Sequence, residues 1–323
     1  MNIEMIRAAA ERLKDHARRT PLLTSPFLDE IAGRRVIVKP ECLQHTGSFK
    51  YRGARNALAA LDPATRARGV IAFSSGNHAQ GVALAAREFT VPAVIVMPSD
   101  APALKIANTR GLGAEVVLYD RAGEDRDEIG ARLAAERGLT LVKPFDEPQV
   151  IAGQGTVGLE IAEQAAELGV SGAQVLIPCG GGGLTSGVAL ALEAQAPGMT
   201  AHTVEPEGFD DVKRSLATGS IQTNTRLSGS LCDAIITPAP GQLTFPHMAR
   251  LCGPGLTVSE DDALRAMAAA FTRLKVVIEP GGAVALAAAL FGSDQVDADT
   301  VIVVASGGNV DAPVFRDALD RFA

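Results

Sequence analysis

The chain has no tryptophan and only two tyrosines in 323 residues, which leaves few aromatic platforms for stacking the bases of a single strand. It also lacks an extended basic cluster and carries a formal charge of -7, so neither nucleic acid nor an anionic membrane surface is expected as a partner. Long apolar runs are missing too: stretches such as 283–291 stop well short of the roughly 18 residues that cross a bilayer. Residues 1–19 are charged throughout with helical spacing and hold no apolar segment, so they do not read as a secretory signal, and the cytoplasm is the expected compartment. Cys42, Cys179, Cys232 and Cys252 show no CxxC spacing, and the five histidines form no HExxH pattern. Those absences argue against a zinc cluster or a redox pair and leave buried free thiols as the expectation.

What is present is length, enough for two domains although one large domain satisfies it as well, and a regular alternation of apolar strands with helical stretches. Strands are expected at 70–73, 91–97, 115–119, 140–142, 174–178, 201–204 and 300–305. Helices are expected at 79–89, up to 110, 124–137, 155–168, up to 194 and, behind the N-cap Ser259, at 260–272, with a further helix opening at Gly281-Gly282. Residues 205–255 are poorly patterned, and the proline-rich break 143–148 marks a crossing between two halves. The fold class that follows is α/β, with open, mostly parallel, twisted sheets covered by helices on both faces.

In such sheets ligands bind beyond the carboxyl ends of strands, and several stretches there carry chemistry. Lys50, in Ser48-Phe49-Lys50-Tyr51-Arg52-Gly53, is expected in a loop or first helical turn. Exposed N–H groups and the helix dipole disfavour an ammonium there and favour the free amine that a nucleophile needs; the plain alternative is a snorkelling surface lysine. Gly180-Gly181-Gly182-Gly183 lies between an apolar strand and a helix, an arrangement of bare N–H groups suited to phosphate. A flexible linker is the plain alternative. A dinucleotide fingerprint competes, with Gly181, Gly183 and Ser186 at GxGxxG spacing and Glu205 ending the next strand, but its last glycine is missing. Ser74-Ser75-Gly76-Asn77-His78 follows another strand and suits a carboxylate, or serves as an ordinary helix cap. Ser306-Gly307-Gly308-Asn309 ends the last strand and is otherwise a turn.

A phosphate nest, an amine and a carboxylate cradle together describe pyridoxal phosphate chemistry. Taken in order, these four motifs resemble those of the serine/threonine dehydratase, serine racemase and 3-hydroxyaspartate dehydratase family, fold-type II pyridoxal phosphate enzymes. The resemblance runs from Thr20 to Asn309. It implies a large cofactor-binding domain of residues 1–66 and 147–323 and a small substrate-closing domain of residues 67–146. Lys50 takes the place of the Schiff-base lysine and general base, and Ser75 that of the acid/base on the opposite face. Phe49, Asn77, Gly180 to Gly183, Leu184 and Ser306 take those of the cofactor contacts, with Ser306 beside the pyridine nitrogen. A serine rather than a carboxylate there weakens the electron sink and suits a substrate with a β leaving group.

For the substrate the resemblance implies Ser74, Ser75, Gly76, Asn77, His78, Arg126, Ala234 and Thr237. For a divalent cation, magnesium, manganese or calcium, it implies Glu205, the Phe209 carbonyl and Asp211, an oxygen set suited to such ions and otherwise a solvated acidic turn. Cys232-Asp233-Ala234 departs from the Ala-Asp-Gly usual in the family beside the cofactor ring. The expected activity is β-elimination from a β-hydroxy α-amino acid, giving ammonia and a keto acid. L-threonine and L-serine are the default substrates. Arg126, otherwise one partner of a helix-face ion pair, makes 3-hydroxyaspartate an equal candidate by offering a partner to a second carboxylate. A racemase shares every one of these residues, and a non-catalytic small-molecule sensor would keep the nests without needing Lys50. The family also implies a homodimer acting on a small amino acid.

Overall fold

The computed structural model describes residues 1–74, 76–101, 103–120, 123–292 and 294–323, with backbone alone at 103, 104 and 127. In chain order its strands are β1 (Leu23–Thr24), β2 (Arg35–Pro40), β3 (Val70–Phe73), β4 (Ala93–Pro98), β5 (Glu115–Tyr119), β6 (Thr140–Leu141), β7 (Ala173–Pro178), β8 (Met199–Pro206), β9 (Leu256–Val258) and β10 (Thr300–Ala305). The helices are α1 (Ile3–Leu13), α2 (Pro26–Ala32), α3 (Lys50–Ala60), α4 (Pro63–Arg68), α5 (Asn77–Phe89), α6 (Ala103–Gly111), α7 (Arg126–Arg137), α8 (Pro148–Glu167), α9 (Gly183–Gln195), α10 (Asp211–Thr218), α11 (Phe245–Leu251), α12 (Glu260–Ala269), α13 (Pro280–Phe291) and α14 (Ala312–Phe322).

The unbroken apolar runs at 36–38, 175–177 and 301–304 are inaccessible to solvent, as strands covered on both faces must be. They form the centre of a six-stranded sheet ordered β1-β2-β10-β7-β8-β9, parallel except for the edge strand β1. The second sheet, β5-β4-β3-β6, is wholly parallel and drawn from residues 70–141. One face of the first sheet packs on α13 and α12, the other on α8 and α9. Beneath the second sheet the apolar cluster joins Val70, Ala72 and Ile95 to Ala54, Ala57 and Leu58 of α3, while α3 also packs against α8. Among the described residues no helix is long and apolar enough to cross a membrane.

Several boundaries differ from the pattern read in the sequence, each for a local reason. The N-terminal helix stops at Leu13, where Lys14 leaves helical geometry (ψ 135) and Asp15 follows at φ 63, and α5 starts two residues early, at Asn77. Helix α8 begins at Pro148, seven residues before the expected start. Pro148 occupies its first turn and Glu147 caps it by accepting from the Val150 N–H, while Gly153 and Gly155 are buried packing positions within it. A Cβ on Gly153 would lie 2.6 Å from the Arg52 carbonyl oxygen, so only glycine lets α8 and α3 approach this closely. Helix α12 passes at Ala270 into a π turn rather than running on to residue 272. Cys252 is half-buried, unlike the other three thiols.

The candidate active site

Helix α3 opens on Lys50, and two contacts pin the preceding loop to the end of β10. The Phe49 N–H donates to the Ser306 carbonyl at 3.1 Å and the Gly308 N–H to the Gly47 carbonyl at 2.9 Å. Behind this helix Arg52, almost wholly buried, bonds both oxygens of Glu41 and both of Glu160, and Lys39 bonds Glu160 at 2.5 Å. Two cations against two carboxylates leave no net charge in this buried cluster. Lys50 itself points into a cavity of about 410 Å³ between the two sheets, where Nζ donates to the Pro144 carbonyl at 2.8 Å and lies 5.1 Å from the Phe49 ring centroid. Burial lowers its pKa from 10.5 to about 8. The shift comes from desolvation, which disfavours the ammonium wherever the amine sits, and not from the helix dipole expected to favour the free amine.

The glycine run follows β7 and leads into α9, with its residues along the cavity wall. Gly182 has φ 87, the left-handed region that favours glycine, and a Cβ there would have to displace the end of Met248, 2.5 Å from its Cε. The first N–H groups of α9 have no partner within the helix and are the natural anion donors here. Ser186, at the position where a dinucleotide fingerprint needs glycine, bonds the Thr244 carbonyl at 3.0 Å. Glu205 directs both oxygens to the N–H groups of Val212 and Lys213 at 2.9 and 2.7 Å, and so caps α10. Neither is placed to read a ribose.

Asn77, at the start of α5, is held on both sides. Its Oδ1 accepts from Asn309 Nδ2 at 2.7 Å, and its Nδ2 donates to Glu279 Oε1 at 2.6 Å. One amide hydrogen is left, and it is a donor. Glu279 is a site residue that the sequence did not disclose: it lines the cavity, and burial pushes its carboxyl up to about 7 against the lowering effect of the Asn77 bond. Ser74, Gly76, Leu184 and Ser306 line the same cavity, as do Ala234, Thr237 and Arg126; Arg126 opens α7 and is exposed at the rim. Ser75 lies outside the described residues.

His78 is corrected. It lines the cavity, but its Nε2 meets the Val142 carbonyl at 2.9 Å, so the proton sits on Nε2 and Nδ1 is bare. Burial, and then the Lys50 charge, push its pKa down to about 3. It is a neutral wall residue and not a cationic partner for a substrate carboxylate. Cys232, expected beside the ring, is fully buried and outside the cavity lining, whereas Ala234 lines the cavity. A second residue that the sequence did not disclose, Lys105 on α6, also lines the site and reaches Asp233 at 3.3 Å across it.

Glu205, Phe209 and Asp211 form a separate cluster at the end of β8, outside the cavity lining. Burial raises Glu205 to about 8, with Asp211 adding to the rise, and raises Asp211 to about 6. Asp211 Oδ1 accepts from Asn224, whereas its buried Oδ2 has no partner. The described residues hold no group of three or more His, Cys, Asp or Glu side chains suited to a metal ion.

The family described as "Pyridoxal-phosphate dependent enzyme" matches residues 13–307. The chain is 46% identical over 311 residues to the L-threo-3-hydroxyaspartate ammonia-lyase of a Pseudomonas species, covering 96% of each. It is 39% identical to the serine racemase of Schizosaccharomyces pombe, over 98% of this chain and 96% of that one. The crystal structure of the T.th. threonine deaminase superposes with a TM-score of 0.90 at 45% identity, over 96% of this chain and 99% of that one.

Proposed function

The chain belongs to the pyridoxal-phosphate dependent enzyme family, and from that premise we propose that it is an ammonia-lyase acting on threo-3-hydroxyaspartate, with L-threonine and L-serine as poorer substrates. The observation that carries the proposal is the cavity in which the lowered-pKa Lys50, the glycine run, Ser306 and Arg126 converge. The cofactor fits this cavity. Gly180 to Leu184 offer the bare N–H groups of a helix N-terminus to a phosphate, and the one unclaimed hydrogen of Asn77 suits a phenolic oxygen. Ser306, at the end of β10, offers a neutral hydroxyl to a ring nitrogen, and Lys50 offers the amine that attaches the aldehyde. When bound, pyridoxal phosphate supplies an electron sink for negative charge at the substrate Cα.

The chain's own residues do the rest. The loop 74–78 takes the α-carboxylate through its N–H groups and serine hydroxyl, without a charge from His78. With its pKa near 8, the Lys50 amine is a competent base for the α-proton close to neutral pH. The β-hydroxyl departs as water, and the imine that is released takes up one water to give ammonia and a 2-oxo acid. Arg126 and the Asp233-paired Lys105, both in the cavity lining, favour a substrate with a second carboxylate.

Comparing kcat/KM for threo-3-hydroxyaspartate and L-threonine in the wild type and Arg126→Ala tests the substrate. The dicarboxylate is expected to lose roughly tenfold or more and threonine little, as for a charged hydrogen bond of about 1.5–3 kcal/mol. Equal losses on both rule the reading out. Racemisation is a second reading, favoured by the similarity to a serine racemase; chiral analysis of recovered substrate separates it from elimination.

A divalent cation belongs to the same proposal. Two buried carboxylates with raised pKa values and an orphaned oxygen on Asp211 fit an oxygen-ligated magnesium, manganese or calcium ion completed by the Phe209 carbonyl and water. We also assign residues 67–146 as the closing domain and the cytoplasm as the compartment. A homodimer is supported by the exposed apolar side chains Phe27, Ile31 and Phe271.

A further inference from the structure

Among the described residues the N–H groups of Gly180 to Thr185 meet no acceptor, although all of these residues but Gly180 are buried. A run of orphaned backbone donors calls for an acceptor from a ligand. The carbonyl of Gly181, by contrast, is held twice: it accepts from the Gly241 N–H at 3.1 Å and from Thr244 Oγ1 at 2.6 Å. The peptide between Gly181 and Gly182 is trans, and across a planar trans peptide the C=O and the following N–H point to opposite sides. Fixing the Gly181 carbonyl against residues 241 and 244 therefore aims the Gly182 N–H away from them.

Thr244 is inaccessible to solvent, stands outside the cavity lining and occupies the N-cap of α11, yet its hydroxyl makes no cap bond there, the usual task of a threonine at that position. A hydroxyl has one proton, and Gly181 at 2.6 Å takes it in preference to the Gly241 carbonyl at 3.2 Å. The turn that carries Thr244 is itself anchored. Its carbonyl accepts from Ser186 Oγ of α9 at 3.0 Å, and the N–H of the neighbouring Leu243 donates to Asp146 Oδ1 at 2.8 Å. Asp146 lies two residues from Pro144, whose carbonyl holds Lys50 Nζ. We propose that Thr244 is a positioning residue for the cofactor: through the Gly181 carbonyl it holds the Gly182 N–H toward the phosphate without touching the ligand. The proposal rests on the cofactor reading given above.

Pyridoxal, which has the aldehyde but no phosphate, supplies the control. The full chain, freed of cofactor, is titrated with pyridoxal phosphate and with pyridoxal, following the visible absorbance that attachment to Lys50 produces, for the wild type, Thr244→Val and Thr244→Ser. Valine keeps the volume and removes the hydroxyl. In Thr244→Val the Kd of pyridoxal phosphate is expected to rise roughly tenfold, as for a lost buried hydrogen bond, and that of pyridoxal to stay within about twofold. Thr244→Ser restores the donor and is expected to bring both values back to within about threefold of the wild type. A Thr244→Val protein with a lower Tm but the wild-type ratio of the two Kd values shows a merely structural residue and overturns the proposal; so does a serine variant no better than valine. If the wild type binds the two compounds equally, the glycine run is not the phosphate site and the cofactor reading itself fails, an outcome read before any variant is compared. Should Thr244→Val not fold, Ser186→Ala replaces it. Loss of the bond to the Thr244 carbonyl is expected to raise the Kd of pyridoxal phosphate about threefold with pyridoxal unchanged, and an unchanged ratio again overturns the proposal.

Discussion

At the scale of single residues the proposed chemistry turns on the buried amine of Lys50. Its folded pKa of about 8 lies below the ordinary 10.5, so between those values the unfolded chain holds more protons on this residue than the folded one does. Stability contributed by Lys50 therefore rises with pH across that window and is at its lowest below pH 8. In the cofactor-free protein Lys50→Met is expected to be inactive and more stable than the wild type at pH 7, with the difference closing as pH rises from 8 to 10.5. Urea unfolding at several pH values measures it, and a difference independent of pH contradicts the burial account. Lys50, the glycine run and Ser306 were legible as candidates because each stands in a distinctive local pattern, Lys50 at a helix start and the other two at strand ends. Glu279 was not, because Glu279-Pro280-Gly281-Gly282 reads as a helix start and its partner Asn77 is 202 residues away.

At the scale of elements, α3 is the piece that holds Lys50 in place. It is wedged between α8 and the second sheet, with the neutral cluster of Lys39, Arg52, Glu41 and Glu160 behind it. Gly153→Ala places a methyl against the Arg52 carbonyl oxygen, at 2.6 Å, and backbone cannot yield as a side-chain end does. Overpacking of this kind costs about 1–3 kcal/mol. A matching fall in the urea midpoint, with a lower kcat as Lys50 is displaced, is the expected outcome; full stability with full activity shows that the helices part without consequence. Helix α8 starts at Pro148, seven residues before the expected 155. Glycine lowers intrinsic helix propensity, but here the missing side chain is what allows the packing.

At the scale of the molecule the cavity lies between the two sheets, so a ligand bound there adds its binding free energy to folding. Pyridoxal phosphate at a thousand times its Kd stabilises by about 4 kcal/mol. Adding it to the cofactor-free protein is expected to raise Tm by several degrees, and to do so much less for Gly182→Val, whose Cβ meets a left-handed φ and the end of Met248. Equal shifts remove the glycine run from the phosphate site. The α/β class, most strands and the loops bearing chemistry were determined by the sequence alone, since apolar periodicity and glycine positions are local properties of the chain. Only the tertiary structure decided that His78 is a neutral wall residue, that Glu279 and Lys105 belong to the site, and that Thr244 holds the Gly181 carbonyl. Those outcomes depend on burial and on partners distant in sequence, and neither desolvation nor a long-range hydrogen bond leaves a periodic trace in the order of residues.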